Sequence, residues 1–487
     1  MKNKKGLPGG RYKPLLKQDI EKIHQKTLEV FSEIGIRVNA PAAFELFQEA
    51  GATGDKSSHI IKIPPELVEK IMGTAPSEVI LYGREEHGAA DLRLCGANVH
   101  MGTGGTALNV QDPGASDIRP SELKDIVDMA RVVDQLDQIH FYMLNVYPNE
   151  LEMDEVDVNR FGAALNYTQK HVMGGVYTAE GVENVIKMAR LIAGSDKALK
   201  EKPFISMVTC VISPFVIDEN YGRLTMNVAE NGIPLVVPAE PLCGATAPVT
   251  LAGNLLVLNV DTLAGVMLAQ LTNPGTPVLY GCVSSVTDLR DMKYLAGAVE
   301  MGLLNASAAQ LAQFYNIPIY ATAGMSDAKT NDAQAGYESA ISSLLTALAG
   351  GNFIHDAAGF IEFCMTASYD KLIIDNEIIG MVMRAVEGIR VDDETLAFDL
   401  MKKIGPGGHF VSERHTRRLM RSEHYAPRLS DRNHRDKWRE NGARDAGQRA
   451  AQKAAAFLRA PKKPYLPEEV RAEILRAIPG IRPMVMS

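Results

Sequence analysis

Cysteine is scarce in this 487-residue chain, and its five copies (Cys95, Cys210, Cys243, Cys282, Cys364) include no CxxC pair. That spacing disfavours a zinc ribbon or a dithiol redox motif and predicts free thiols in a reducing compartment. An apolar h-region is also missing behind the N-terminal charges Met-Lys-Asn-Lys-Lys, so no secretory signal is expected and the expected location is the cytoplasm. No apolar run reaches the ~20 residues of a membrane span uninterrupted. The most apolar stretch, 250–272, contains Asn254, Asn259, Asp261 and Gln270, which would be costly in lipid, and no membrane segment is predicted. The stretch Gly102-Thr-Gly-Gly105 lacks both the Walker lysine and the GxGxxG spacing. It points to a tight turn or a close ligand approach rather than a phosphate cradle.

What the chain does have is one pattern, repeated. The β-branched run Ile317–Ala323 ends in a glycine and polar residues before a helical pattern resumes near Gln334. Seven more runs behave alike: Asn98–Asp112, Ile139–Pro148, Val172–Thr178, Phe204–Pro214, Leu235–Thr246, Val278–Thr287 and Phe353–Met365. Helical periodicity follows each, over 121–135, 154–168, 180–193, 218–231, 250–272, 290–315, 330–350 and 370–388. Strict alternation argues for parallel pairing, because parallel neighbours need a crossover of a dozen or more residues. An open doubly wound sheet uses the same local pattern, but eight units is the number that closes a (β/α)8 TIM barrel. The barrel is placed at 96–404. Residues 1–95 read as an N-terminal α+β extension packed on the barrel, and 405–487 as a basic C-terminal helical tail.

Charge divides the chain as well. Val411–Pro464 holds 15 Lys and Arg against 6 Asp and Glu, a local net of +9 in a chain of net −8, so the remainder carries −17. Docking of this stretch on the acidic body, or on another subunit, is expected in preference to nucleic acid.

Five strings, in order, resemble the trimethylamine methyltransferase family in its non-pyrrolysine branch. They are Ile20-Glu-Lys-Ile-His-Gln-Lys-Thr-Leu-Glu-Val, Met101-Gly-Thr-Gly-Gly, Asp332-Ala-Gln-Ala-Gly-Tyr-Glu338, Ser368-Tyr-Asp-Lys-Leu-Ile-Ile-Asp-Asn-Glu-Ile-Ile-Gly-Met381 and Gly405-Pro-Gly-Gly-His-Phe. The resemblance implies a barrel enzyme that moves a methyl group from an amine to the cobalt of a corrinoid (cobalamin) carried by a separate cognate protein. It implies no tightly bound cofactor of the chain's own, and a homo-oligomer. By position the pyrrolysine of that family falls within or near Asp327–Asp332, where Ala328, Lys329, Thr330 and Asn331 stand instead.

That departure has a chemical consequence. Displacing a methyl group from a tertiary amine expels an amide anion, whereas a quaternary ammonium compound leaves as a neutral tertiary amine. A chain without an activating residue needs a donor that arrives charged, so the implied substrate is glycine betaine or a related betaine.

Such chemistry asks for position rather than for acid–base work, and no catalytic residue is assigned. A trimethylammonium head is held by aromatic faces within ~6 Å and by nearby carboxylates. Candidate walls at strand ends are Tyr147, Tyr177, Phe215, Phe360 and Phe363, each of which could equally be strand-end filler. Ser213 and His355 are candidate donors to a substrate carboxylate, and Glu240 and Asp327 candidate counter-charges. His355 and Asp356 are neighbours, so on a continuing strand only one of them faces the pocket. Two other functions stay open: a binding protein of the same fold without turnover, and a metal-assisted thiol or alcohol methyltransferase using Cys210, Cys243 and Cys282 near His355. No metal is expected.

Overall fold

Eight short parallel strands stand where the β-branched runs predict them. In the computed structural model, which describes residues 6–483, they are β1 Asn98–Met101, β2 Tyr142–Met143, β3 Val172–Gly175, β4 Ile205–Val208, β5 Leu235–Val236, β6 Val278–Cys282, β7 Ile319–Thr322 and β8 Phe353–His355. The helices between and after them are α1 Leu123–Asp134, α2 Met153–Tyr167, α3 Ala179–Ala193, α4 Glu219–Glu230, α5 Leu251–Thr272, α6 Val299–Tyr315, α7 Ala333–Ala349 and α8 Tyr369–Glu387. The strands form one curled sheet in the order β1-β8-β7-β6-β5-β4-β3-β2, with Leu7–Pro8 antiparallel beside β1.

The sheet curls until its two outer parallel strands approach each other. The His140 N–H donates to the Met101 carbonyl at 2.8 Å. The Thr103 hydroxyl donates to the Met143 carbonyl and accepts from the Met143 N–H, both at 2.8 Å. A side chain thus interrupts the pairing at Thr103, and backbone bonds resume at Ala107, whose N–H donates to the Asn145 carbonyl at 3.0 Å and whose carbonyl accepts from the Tyr147 N–H at 2.9 Å.

Every strand is shorter than its sequence run, because each run continues into a loop beyond the sheet. Asn109–Gln111, Ile118–Pro120, Phe360–Ile361 and Thr366–Ser368 pair into one small sheet above the strand ends, and Leu242–Cys243, Ser285–Asp288 and Lys293–Leu295 into another. This second tier delays α6: the helix predicted from 290 starts at Val299, since 285–295 forms an antiparallel hairpin.

The inside of the curl is filled by Phe141, Met143, Met173, Val208, Val236, Leu279, Tyr320 and Phe353, with Phe141 stacked on Phe353 at 3.6 Å. Its lower end is closed by the hairpin Glu78–Leu81/Leu92–Cys95, which contributes Val79, Leu81, Leu92 and Leu94. That placement follows from the period of two, with alternate residues apolar on one face.

Helix α5 is long and apolar enough to cross a membrane, yet 78% of its apolar window is buried within the fold. Its polar residues are internal ties. Asn259 donates to Thr27 and Tyr315 and accepts from Tyr280, linking the helix to Lys17–Glu29 of the N-terminal segment. Gln270 donates to the Thr276 carbonyl and accepts from Thr74 and the Gly275 N–H. Asn254 donates to the Pro241 carbonyl. Burying such groups is tolerable because nearly all find partners, the Asn254 side-chain oxygen being the exception among them.

The basic C-terminal segment lies on the body of its own chain. Helix Ala446–Arg459 packs against α8 and α1, and Glu468–Ala477 against α3. Arg482 pairs with Glu155 at 2.6 Å, Arg428 with Asp137 at 2.7 Å, and Glu377 accepts the N–H groups of Arg428 and Ser430. Between α8 and this docked portion the chain leaves the body. The helices Asp393–Leu396, Phe398–Ile404 and Arg414–Glu423 bury none of their residues.

Candidate active site

A cavity of about 620 Å³ opens at the C-terminal ends of the parallel strands. Parallel α/β sheets place their loops, and so their chemistry, at this end. Among the described residues the lining brings together Tyr177 after β3, Glu240 after β5, His355 at the end of β8 and Phe363 in the loop beyond it. Tyr147 stands just behind, its ring edge-on to Tyr177 at 5.9 Å.

The other predicted site residues lie outside the lining. Ser213 and Phe215 are engaged by Asp261 of α5, which accepts the Ser213 hydroxyl and the Phe215 N–H, each at 2.7 Å. Burial pushes that Asp261 carboxyl up to about 7 in spite of both donors. Asp327 accepts the N–H groups of Ala296 and Gly297, holding the segment that leads into α6. Phe360 is fully buried beneath the glycine loop, so Phe360→Ala is a core deletion rather than a cage deletion. Cys210 lines the cavity, while Cys243 and Cys282 are buried elsewhere. No group of three or more His, Cys, Asp or Glu among the described residues is placed to hold a metal ion.

His355 and Asp356 both line the cavity, against the expectation that only one would. The strand stops at His355, and Asp356 takes a left-handed conformation with φ of 60°, which turns its side chain back to the same side. The His355 ring stacks on Tyr320 at 3.8 Å, its Nε2 meets the Thr322 hydroxyl, and its Nδ1 lies 3.0 Å from the Asp356 carboxylate. The glycines of 102–105 make room for this pair. A Cβ at Gly104 would stand 2.2 Å from Asp356 Oδ1 and 2.8 Å from His355 Nδ1. Gly105 has φ of 51°, and a Cβ there would stand 2.7 Å from Cys364 Sγ. The loop therefore serves close approach, the second of the roles expected for it.

Several lining residues escaped sequence reasoning. Tyr221, Tyr294 and Tyr320 complete an aromatic wall with Tyr177 and Phe363. Arg160 of α2 is fully buried behind that wall: it donates to Thr106 and the Leu144 carbonyl and to the Tyr177 hydroxyl, with its guanidinium 5.6 Å from the Tyr177 ring centre. The signal was available, since Arg160 is the one cation in the run Val156–Leu165. The segment Glu362-Phe363-Cys364 is left-handed at all three residues and is pinned by N–H donation from Glu362 to the Ala328 carbonyl and from Phe363 to Ser326. Such strain persists only where surrounding contacts hold it.

Among the described residues, two carboxyls, Glu240 and Asp356, line the cavity against one lysine, Lys293, which is paired with Asp291. Glu240 keeps an open face to the cavity but is otherwise surrounded by protein, and burial, then the nearby Asp356, push its carboxyl up to about 7. The thiols are held neutral: burial pushes Cys210 up to about 12 and raises Cys364 well above its ordinary value. Of Asp327–Asp332, none lines the cavity among the described residues. Lys329 lies on the outer side, its Nζ donating to the Asp327 carbonyl and standing 4.1 Å from the centre of the Phe363 ring. Asp332 caps α7 through the Gln334 N–H.

This arrangement can be set beside known proteins. The family description trimethylamine methyltransferase (MTTB) matches residues 5–479. Trimethylamine methyltransferase MttB of Desulfitobacterium hafniense (strain DSM 10664 / DCB-2) is 36% identical over 457 residues, covering 94% of this chain and 91% of that one. A glycine betaine methyltransferase of Desulfitobacterium hafniense (strain Y51) is 32% identical over 429 residues, 88% of each chain. The crystal structure of the Methanosarcina barkeri monomethylamine methyltransferase shares the fold with a TM-score of 0.53, over 92% of this chain and 88% of that chain at 13% identity. A match of this length, spanning both the glycine loop and the strand-end cavity, means that the chain belongs to the trimethylamine methyltransferase family of methyl-transferring enzymes.

Proposed function

We propose that the protein takes a methyl group from a quaternary amine of the betaine type and passes it to the cob(I) centre of a corrinoid carried by a partner protein. The observation that carries this reading is the composition of the cavity: five aromatic rings and the carboxyls of Glu240 and Asp356 around one space, with no side chain of 327–332 in it. Aromatic faces with nearby negative charge suit a quaternary ammonium head. The one lysine among the described lining residues, Lys293, is tied to Asp291 at 2.5 Å. In the reaction, the methyl carbon bonds to the partner's cobalt, the C–N electron pair stays on nitrogen, and a neutral tertiary amine leaves. The chain's own residues bind and orient the head and exclude water. In this reading the curled sheet is a closed (β/α)8 barrel spanning 96–404, with 1–95 packed on it and 405–487 as its tail, working in the cytoplasm. The test is a panel of quaternary amines incubated with cob(I)alamin while methylcobalamin is followed by its spectrum. Binding without methylcobalamin would make the protein a sensor instead.

Removing one wall checks the cage. Tyr177→Ala is expected to weaken binding of a trimethylammonium ligand by ~1–2 kcal/mol, the scale of a desolvated cation–π contact. Unchanged affinity by calorimetry would take Tyr177 out of the cage.

Glu240 gives the binding a pH dependence. Because its carboxyl sits near 7, it is largely protonated at pH 6 and charged at pH 8. Affinity for the cation is therefore expected to rise with pH up to about 7 and to flatten above it, with proton release on binding below that point. The sign is opposite for the unliganded fold: a carboxyl raised above its ordinary value binds more protons folded than unfolded, so its contribution to stability falls as pH rises from about 4.5 to 7. In Glu240→Gln the affinity profile should lose its slope; a slope unchanged in that variant would assign it to another group.

A further inference from the structure

Arg160 is a fully buried cation in the middle of α2, and no carboxylate among the described residues comes within ion-pair distance of it. Its guanidinium donates only to neutral oxygens, those of the Leu144 and Gly175 carbonyls and of the Thr106 and Tyr177 hydroxyls. Its Nε has no partner among the described residues. Asp157, one turn earlier on the helix, gives its Oδ2 to the Tyr177 and Thr178 N–H groups instead. A buried guanidinium held by dipoles alone is costly, because neutral partners return only part of the hydration it has lost. The position of those partners gives the charge an outlet. Thr106, Gly175 and Tyr177 all line the cavity, so a single layer of protein separates the cation from that space.

Resting on the quaternary-amine reading of the cavity, we propose that Arg160 makes this wall the seat of the substrate's carboxylate, with the Tyr177 and Tyr221 hydroxyls as the groups that touch it. Arg160 is then a positioning residue that selects betaines from other quaternary amines. Tyr177 accepts from Arg160, which leaves its own hydroxyl proton to be donated into the cavity, and a bond from a cation makes that proton a stronger donor. Tyr221 lines the same cavity close to Tyr177 and Cys210, and its hydroxyl has no partner among the described residues. Thr106 is already engaged, its hydroxyl donating to the Gly105 carbonyl at 2.7 Å. Lys293 does not fill this role: it lies on the hairpin beyond β6, with its side chain 60% exposed and paired to Asp291. Glu240 after β5 and Asp356 after β8 are both outside ion-pair distance of Arg160, so the cavity has a negative region and a positive one. A bare quaternary cation is repelled by Arg160. A zwitterion with its carboxylate toward Tyr177 and its head toward Glu240 gains at both ends.

The test is calorimetric titration of the full chain with glycine betaine and carnitine, which carry a carboxylate, and with choline and tetramethylammonium, which do not. The wild type is expected to bind at least one of the two betaines about tenfold or more tighter than either simple cation, the scale of a hydrogen bond to a charged group. Tyr177→Phe, which keeps the ring, and Tyr221→Phe should each weaken that betaine several-fold and leave the simple cations within about twofold. Arg160→Met should remove the preference and leave the simple cations bound as tightly as before or more so, a pattern that loss of packing does not produce. Should Arg160→Met not fold, as judged by circular dichroism, the two phenylalanine variants decide. A wild type that binds all four ligands alike, a betaine preference that survives both phenylalanine variants, or an equal loss for all four in a folded Arg160→Met would overturn the proposal while the quaternary-amine reading stands. Binding of none of the four would overturn both.

Discussion

Supplied with cob(I)alamin at neutral pH, the protein is expected to form methylcobalamin from a trimethylammonium compound at least about a hundredfold faster than from trimethylamine or dimethylglycine, a difference of roughly 2.7 kcal/mol in barrier. The difference lies in the leaving group. A quaternary nitrogen departs neutral, whereas a free tertiary amine would depart as an amide anion. A protonated tertiary amine carries the right charge to enter the cavity, but its N–H bond breaks more readily than its C–N bond, so proton transfer wins over methyl transfer. Occupancy therefore does not predict turnover. Lys329, the first side chain to suspect of activating an amine, is outside the cavity lining, with its Nζ 4.1 Å from the centre of the Phe363 ring. Initial rates should be compared at saturating donor, with Lys329→Ala alongside. Comparable rates from dimethylglycine and glycine betaine would mean that the protein activates the amine itself, and loss of that activity in Lys329→Ala would identify the group.

Lys371→Met should destabilise the fold by about 3–5 kcal/mol, because it removes one partner of a fully buried ion pair and strands the other. Lys371 and Asp375 lie one turn apart on α8, both with no exposed side-chain surface, and Lys371 also donates to the Ser339 hydroxyl of α7. Burial raises the Asp375 carboxyl above the usual carboxylate range, and only Lys371 and the Gly359 N–H draw it back. Without the lysine, Asp375 is expected to take up a proton. The damage should reach the cavity, since Asp375 accepts the Gly359 N–H at 2.8 Å and so positions the loop that carries Asp356 and Phe363. Urea unfolding and ligand affinity should fall together. Lys371→Met/Asp375→Leu should regain much of the lost stability but not the affinity, because no group then holds Gly359. A single variant within about 1 kcal/mol of wild type would show the pair to be dispensable.

The repeat of strand and helix was legible because its signal is local. Runs such as Val172–Thr178 and Leu235–Thr246 contain enough β-branched residues to place a strand, and parallel pairing follows from the helix between them. Their ends were not legible, since a run of apolar residues does not reveal where a strand leaves the sheet for a second tier of pairing. That ambiguity reached the candidate site. Tyr177, Glu240, His355 and Phe363 stand close to a strand end and reach the cavity, while Phe215 and Ser213 stand equally close and are turned to Asp261 across a segment no pattern announces. Alternation allowed only one of His355 and Asp356 to face the pocket on a continuing strand, and one left-handed residue lets both do so. Tyr221 and Tyr294 come from α4 and from the hairpin before α6, places that a search of strand ends passes over.

The seam between β1 and β2 has a kinetic meaning. A ladder opens only when several hydrogen bonds break together, but a hydroxyl leaves both its partners by one rotation about a side-chain bond. The Met143 amide, guarded by Thr103, is therefore a natural starting place for local opening, with amide hydrogen exchange faster there than along β3 or β4. Met143 also lines the cavity, so an excursion at the seam changes the shape of that space. Breathing of the scaffold at this point and fluctuation of the cavity's volume are then coupled, with the backbone bonds on either side, His140 to Met101 and Ala107 to Asn145, limiting how far the opening spreads.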